Sequence, residues 1–238
     1  MYAYCRAPGG HHISISSDLV IESDRQLADH LLCAVCEDNL NRGGEMWLLP
    51  LLARYQGPFP FYDLLTKVPP DATDGDAAGY AAARNSEIQC DKITHFAMGV
   101  FWKAAVHSWS GSRTEPMIDL GKYAEPIRNF LCGAAGFPER MVLTIGVLPP
   151  PVEMIAFNNP YRGSNRKWHN YLFYVPGIEF SLNVGSMIKT SERESCFASN
   201  PLHPIIVTNF SEDLLKINRM VWKGARKAKN VDKYLKKD

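Results

Sequence analysis

Apolar positions along the chain follow more than one rhythm. The clearest is helical: Ile93, Phe96, Ala97, Val100, Phe101, Ala104 and Ala105 recur at spacings of three and four, with Lys92 and Lys103 left for the opposite side. That period belongs to an α-helix with one broad buried stripe. Ahead of it, Ser86 and Gln89 stand at capping-box spacing, where a hydroxyl and an amide can each satisfy an orphan backbone N–H. Together these signals predict a core helix over 86–109, buried against the later strands. A second helix is expected over 116–132, with Pro126 as a kink or break and Gly133 and Gly136 ending it.

Beyond Gly136 the rhythm shortens. Residues 141–147, 152–157, 168–175, 178–184 and 205–208 are short β-branched or aromatic runs punctuated by Pro, Gly and Asn, which read as strands. Tyr174-Val175-Pro176-Gly177 can turn the third of these into the fourth as an antiparallel pair. Ser211 then caps a last helix, with Leu214, Leu215, Ile217, Met220 and Val221 on its apolar face.

The N-terminal part is less regular. Residues 13–21 suggest a strand or hairpin. After Cys36, the apolar residues Leu40, Met46, Leu48, Leu49, Leu51 and Leu52 suggest helical turns interrupted by Gly43-Gly44 and Pro50. Residues 68–86, rich in Pro, Asp, Gly and Ala, read as an exposed loop. The expected architecture is α+β: a zinc-knuckle-like N-terminal region over 1–56, then a body over 57–238 with central helices, a mostly antiparallel sheet and a C-terminal helix.

Composition narrows the partners. A formal net charge of +1 over 238 residues excludes a uniformly basic or acidic coat, so an electrostatic partner must meet a local patch. Such a patch lies near the C-terminus, where Lys223, Arg226, Lys227, Lys229, Lys233, Lys236 and Lys237 face only Asp232 and Asp238. These cations can touch the phosphates of DNA or RNA. The blander reading, which carries more weight, is a solvated helix end whose lysines favour the negative pole of the helix dipole. Residues 161–169 mix cations with aromatics, as single-strand-binding surfaces do, and equally suit an exposed hairpin. Asp71, Asp74 and Asp76 lack the ligand spacing of an EF-hand and read as a solvated loop.

No apolar run approaches the roughly 20 residues that span a bilayer. With no export signal visible, a cytoplasmic setting is expected, in which the six cysteines are reduced thiols or metal ligands.

Cys33-Ala34-Val35-Cys36 is the strongest local signature. Two cysteines at this spacing can share one Zn²⁺, with both sulfurs about 2.3 Å from the metal. A tetrahedral site needs two more ligands, for which Cys5, His11, His12 and His30 are candidates. A redox dithiol and a pair of ordinary buried thiols are the competing readings.

The segment Leu31-Leu32-Cys33-Ala34-Val35-Cys36-Glu37, with His95-Phe96-Ala97-Met98-Gly99-Val100-Phe101-Trp102-Lys103 further on, resembles a group of largely uncharacterised bacterial proteins related to HNH endonucleases. The group builds a treble-clef zinc element from an N-terminal Cys-x-x-Cys, a His-Ile-Ile-Pro-like strand and a second Leu-Cys-x-x-Cys-Glu. The resemblance implies His12 as a general base activating water beside a divalent cation, with Asn39 or Asn41 in support. It also implies Cys33 and Cys36 as metal ligands; Cys5 and His30, chosen for their nearness in the chain, are the residues expected to complete the set. The departures are specific. Cys5 has no partner two residues away, no proline follows Ile13, and Glu37 stands where active nucleases often carry Asn. If Tyr4-Cys5-Arg6-Ala7-Pro8 instead matches a segment downstream of the catalytic strand, the site is lost or begins upstream. His11 and His12 are then surface polar residues before a strand. The expected function is that of a degenerate or truncated HNH-like zinc protein acting on or near nucleic acid. The alternative is a non-catalytic module whose cysteines are structural and whose sheet or basic tail meets a protein partner.

Overall fold

The structure, a computed structural model, describes residues 12–15, 20–23, 31–54, 57–108, 116–150, 157–163, 169–194, 196–198, 204–207 and 219; for 12–15, 20–23 and 204–207 the description is of the backbone. Helices and a mostly antiparallel sheet make an α+β fold, as the patterning predicts.

The N-terminal region opens on an antiparallel pair, β1 (His12–Ile15) and β2 (Val20–Ser23), in which His12 lies opposite Ser23. A helical segment follows, made of α1 (Ala34–Leu40), a π-helical turn (Asn41–Glu45), α2 (Met46–Leu48) and a 3-10 turn (Leu49–Leu51). Gly43-Gly44 therefore does not interrupt the helix, contrary to the sequence expectation. The two glycines sit in the π turn where α4 (Cys90–Val106) crosses it. A Cβ on Gly44 would overlap the Lys92 carbonyl oxygen and the Phe96 backbone N, so absence of a side chain is what lets the two backbones meet.

The helix α4 is the centre of the molecule, and it buries Ile93, Thr94, Phe96, Ala97, Met98, Gly99, Phe101 and Ala104. It is shorter than predicted, and Ser86 does not cap it. Gln89 occupies the N-cap without a side-chain hydrogen bond. The turn before it is organised by buried Asn85, whose Oδ1 accepts from Glu87 N at 3.0 Å and whose Nδ2 donates to the Leu64 carbonyl of α3 (Pro60–Leu65) at 2.8 Å. The second predicted helix also contracts, to α5 (Ala124–Leu131) behind a 3-10 turn over Gly121–Tyr123. Pro126 does not break α5, because it falls in the first turn, where backbone N–H groups have no helical acceptor. Gly133, at φ +71°, ends the helix as expected.

The main sheet has seven strands in the order β3-β4-β9-β5-β8-β7-β6. They are β3 (Ala72–Asp74), β4 (Ala77–Ala81), β5 (Met141–Val147), β6 (Tyr161–Arg162), β7 (His169–Val175), β8 (Ile178–Val184) and β9 (Pro204–Val207). Among the described residues, β5 and β9 are the one pair that runs in parallel. The supposed loop over 68–86 is in fact the β3–β4 hairpin at one edge, turning at Gly75 with φ +55°. Asp71 braces it, its Oδ2 accepting from Ala81 N at 2.7 Å and its Oδ1 from Arg84 at 2.5 Å. β7 and β8 pair antiparallel as predicted, but the turn is Val175–Ile178, one residue later than expected, with Gly177 at φ +85°. Residues 152–156 and the last predicted helix lie outside the described residues, apart from exposed Arg219.

Alternation along β8 buries Ile178, Phe180, Leu182 and Val184 and leaves Glu179, Ser181 and Asn183 half-exposed, so one sheet face meets α4. Phe173 lies at the contact, stacked on Phe180 with centroids 4.8 Å apart and edge-on to Phe101 at 4.9 Å and Phe96 at 6.2 Å. One apolar cluster runs from Leu40 and Leu48 through α4 to the sheet and Phe197. Among the described residues, no helix is long and apolar enough to cross a membrane.

Candidate metal and thiol site

Leu31-Leu32 leads into Cys33, which is the N-cap of α1, with extended backbone (φ −70°, ψ 160°) and a carbonyl that accepts the first helical bond from Glu37 N at 3.0 Å. Cys36 is the third residue of the helix, so one turn brings it back beside Cys33. The two thiols face each other. The backbone N–H of Cys36, its S–H and the Val35 N–H all approach the Cys33 sulfur, and they hold the Cys33 thiol below its ordinary range. The same contact pushes the Cys36 thiol up, because its S–H bond is engaged and a second negative sulfur beside it would be repelled. Cys33 is exposed and Cys36 half-exposed, which removes the reading of two ordinary buried thiols.

A third sulfur stands nearby. Cys132 caps the C-terminal end of α5 and is exposed, and its charge also raises the Cys36 thiol. Sequence reasoning did not bring it into the site, since nothing in local spacing joins the end of α5 to the start of α1. The fold does so through α4. His95, on α4, has its ring against the position of Gly43 and places Nε2 3.2 Å from the Leu131 carbonyl. Because a carbonyl only accepts, Nε2 carries the hydrogen, and Nδ1 is left buried without a hydrogen-bond partner. Burial pushes the His95 pKa down. Phe130, 6.1 Å away, covers the ring.

The other two described cysteines, Cys90 and Cys196, belong to the packing. Cys90 is half-buried and its thiol is raised by burial. Cys196 is buried and accepts from Leu143 N at 3.2 Å.

Cys33 and Cys36 are, among the described residues, the pair proposed from sequence that the structure brings together. Among the described residues, no three His, Cys, Asp or Glu side chains converge as a metal-binding group. Cys5, His11, His30, Lys223, Arg226, Lys227, Lys229 and Lys233 lie outside the described residues, and for His12 the backbone position at the start of β1 is described. Asn39 and Asn41 follow Cys36 on the same helical segment. Of residues 161–169, Tyr161 and Arg162 form β6, paired antiparallel with β7, and Arg162 and His169 are exposed; 164–168 lie outside the described residues. Asp71 belongs to the brace of the β3–β4 hairpin, its carboxyl held low first by the Ala81 N–H and then by Arg84.

No protein-family model, curated protein or solved structure gives a significant match to the chain.

Proposed function

We propose that the N-terminal hairpin and the helix behind it form a zinc-supported unit of the HNH-related kind, degenerate or truncated at its catalytic positions, which acts on or near DNA or RNA in a reducing, cytoplasmic setting. The observation that carries this reading is the order β1, β2, α1 with Cys33 and Cys36 in the first turn of α1. A treble-clef element has the same order, its second thiol pair opening the helix that follows a hairpin. The donor chemistry fits Zn²⁺, since two facing, accessible sulfurs are half of a tetrahedral thiolate-rich set. Cys5 and His30 are the residues proposed to supply the rest. The metal would tie the hairpin to the helix and add folding free energy. If the site retains hydrolytic activity, His12 at the head of β1 is its base. Lys223, Arg226, Lys227, Lys229 and Lys233 are the proposed phosphate contacts.

Elemental analysis of the full-length protein, purified without chelator, tests the metal; one equivalent of zinc, lost in Cys33→Ser, is expected. Fluorescence anisotropy with single- and double-stranded DNA and RNA at several salt concentrations tests the partner. Binding that weakens steeply with salt is expected, and no binding even at low salt would end the nucleic-acid reading.

A second reading has its own observation. Val35 and Met46, 70% and 69% exposed, are large apolar side chains on the same helical segment as the thiols. They favour a non-catalytic module whose metal or thiols shape a protein-binding helix. Retained zinc with no nucleic-acid binding would select that reading.

A further inference from the structure

We propose that Cys33 and Cys36 form a thiol–disulfide exchange centre, with Cys33 as the sulfur that attacks an exposed disulfide of a small molecule or protein and Cys36 as the sulfur that resolves it. The inference rests on the pair alone, needs no metal, and stands or falls separately from the zinc reading. Residues three apart on a helix have Cβ atoms about 5–6 Å apart, whereas a disulfide requires about 3.5–4.5 Å. A pair inside a regular helix is therefore held open. Here one partner is the N-cap, whose carbonyl accepts the first helical bond from Glu37 N but whose φ and ψ are extended, so its Cβ does not have the position fixed for a residue within the helix. One helical turn brings Cys36 back to the side of α1 where Cys33 stands, and Cys33 is the more exposed of the two. Neither Cys90 nor Cys196 combines these features, the first being half-buried and the second buried.

The chemistry balances with a disulfide as the oxidant. The Cys33 thiolate attacks one sulfur of the disulfide; a Cys33–S bond forms, and the other sulfur leaves with the electron pair and takes up a proton. Cys36 then loses its proton to solvent and attacks Cys33 Sγ. The Cys33–Cys36 bond forms and the second sulfur of the substrate leaves as a thiol. The protein dithiol is oxidised by two electrons and the substrate disulfide reduced by two. A metal held by the same sulfurs and the closed disulfide exclude one another.

The test equilibrates full-length protein, both as purified and after chelator treatment, with mixtures of reduced and oxidised glutathione. Iodoacetamide quenches the exchange, and trypsin releases the segment from Gln26 to Arg42, which contains Cys33 and Cys36 and no other cysteine. In at least one of the two preparations, the segment is expected to pass in one step from doubly alkylated to internally disulfide-linked, and to reopen with dithiothreitol. Cys36→Ser should stop the reaction at a Cys33–glutathione mixed disulfide. Cys33→Ser should lose the reaction, leaving Cys36 open to alkylation. Double alkylation throughout in both preparations, separate capping of the two sulfurs by glutathione, or a Cys36–Cys132 link would each overturn the proposal. Zinc is measured on the protein as purified. Zinc without closure in either preparation removes this inference and keeps the metal reading; closure without zinc does the reverse.

Discussion

The ring of His95 occupies the space where Gly43 would carry a side chain, and Gly44 beside it faces the backbone of α4. The two glycines differ in what would have to move. A methyl group at Gly43 meets a ring, so His95 can swing aside at the cost of its contact with the Leu131 carbonyl. A methyl group at Gly44 meets the Lys92 oxygen and Phe96 nitrogen, neither of which can move without shifting the helix. Gly44→Ala should therefore destabilise by about 1–3 kcal/mol or more, despite the roughly 0.5–1 kcal/mol that alanine gains over glycine in a helix. Urea unfolding midpoints measure this. A Gly44→Ala protein as stable as the wild type would show that the π turn and α4 lie further apart.

His95 gives stability a pH dependence of known sign. Burial holds its pKa below the unfolded value, with Lys92 acting in the same direction and the Leu131 carbonyl, Asp91 and Glu45 opposing. Between the folded pKa and the unfolded value of about 6.5, the unfolded chain binds the extra proton. Stability from this residue is thus fully present above about pH 6.5 and falls as the pH drops below it. Asp71 and Glu125, held low by hydrogen bonds to Ala81 N–H and Arg128 respectively, act with the same sign but lose their contribution only around and below about pH 4. Denaturant melts between pH 5 and 8 should show a decline that His95→Gln flattens, and an equal decline in that variant would place the titrating group elsewhere.

The aromatic contact between helix and sheet sets a third expectation. Phe101 is fully buried and edge-on to Phe173. Phe101→Ala should cost about 3–5 kcal/mol, as should Phe96→Ala. Because both rings touch Phe173, the double variant should lose less than the sum of the two, by on the order of 0.5–3 kcal/mol. Strict additivity in chemical denaturation would indicate that the two rings pack independently.

These residues also show which parts of the fold could be read from the chain. Strands β5 and β8 were legible because one face of each is buried, so apolar side chains alternate with smaller or polar ones. The α4 stripe was legible for the equivalent helical reason. The β3–β4 hairpin escaped because its strands hold Ala, Thr, Asp and Gly and carry little apolar pattern. Its ladder to β9 and its brace through Asp71 are long-range facts, although Asp74-Gly75 at the tip was a local turn signal. Pro126 and Gly43-Gly44 misled because a breaker's effect depends on position: the first falls in a helix's opening turn, the second where another helix needs room. At the candidate site, the Cys33–Cys36 spacing was legible, but the approach of Cys132 was not, since it arises from α5 packing beside α4.

The turn between β7 and β8 offers a prediction in which backbone and side chain act together. Gly177 adopts φ +85°, and a Cβ there would run into the ring of Phe59, which in turn stacks on Tyr62 with centroids 6.2 Å apart. Gly177→Ala combines a left-handed conformation, costing roughly 1–2 kcal/mol for an L-residue, with displacement of a buried ring. Phe59→Ala removes the obstacle but leaves the backbone term. If both terms are real, Gly177→Ala should be partly rescued in the Phe59→Ala background, relative to Phe59→Ala alone. Absence of any rescue in thermal melts would leave the backbone as the whole cause.

Metal removal separates a structural zinc from thiols that merely face each other. A metal that binds the folded chain and not the unfolded one raises the unfolding temperature by mass action. On the zinc reading, chelator should lower the melting temperature of the wild type, and Cys33→Ser and Cys36→Ser should start low and ignore chelator. Cys196→Ser serves as the control, because its sulfur is buried and accepts from Leu143 N. That variant should be destabilised through packing yet keep the full chelator response. The measurement is a thermal melt of each protein with and without chelator under reducing conditions, which keep disulfide closure from intervening. An unchanged melting temperature of the wild type would remove a stabilising zinc at Cys33 and Cys36, and would leave the thiol pair to be explained by its exchange chemistry.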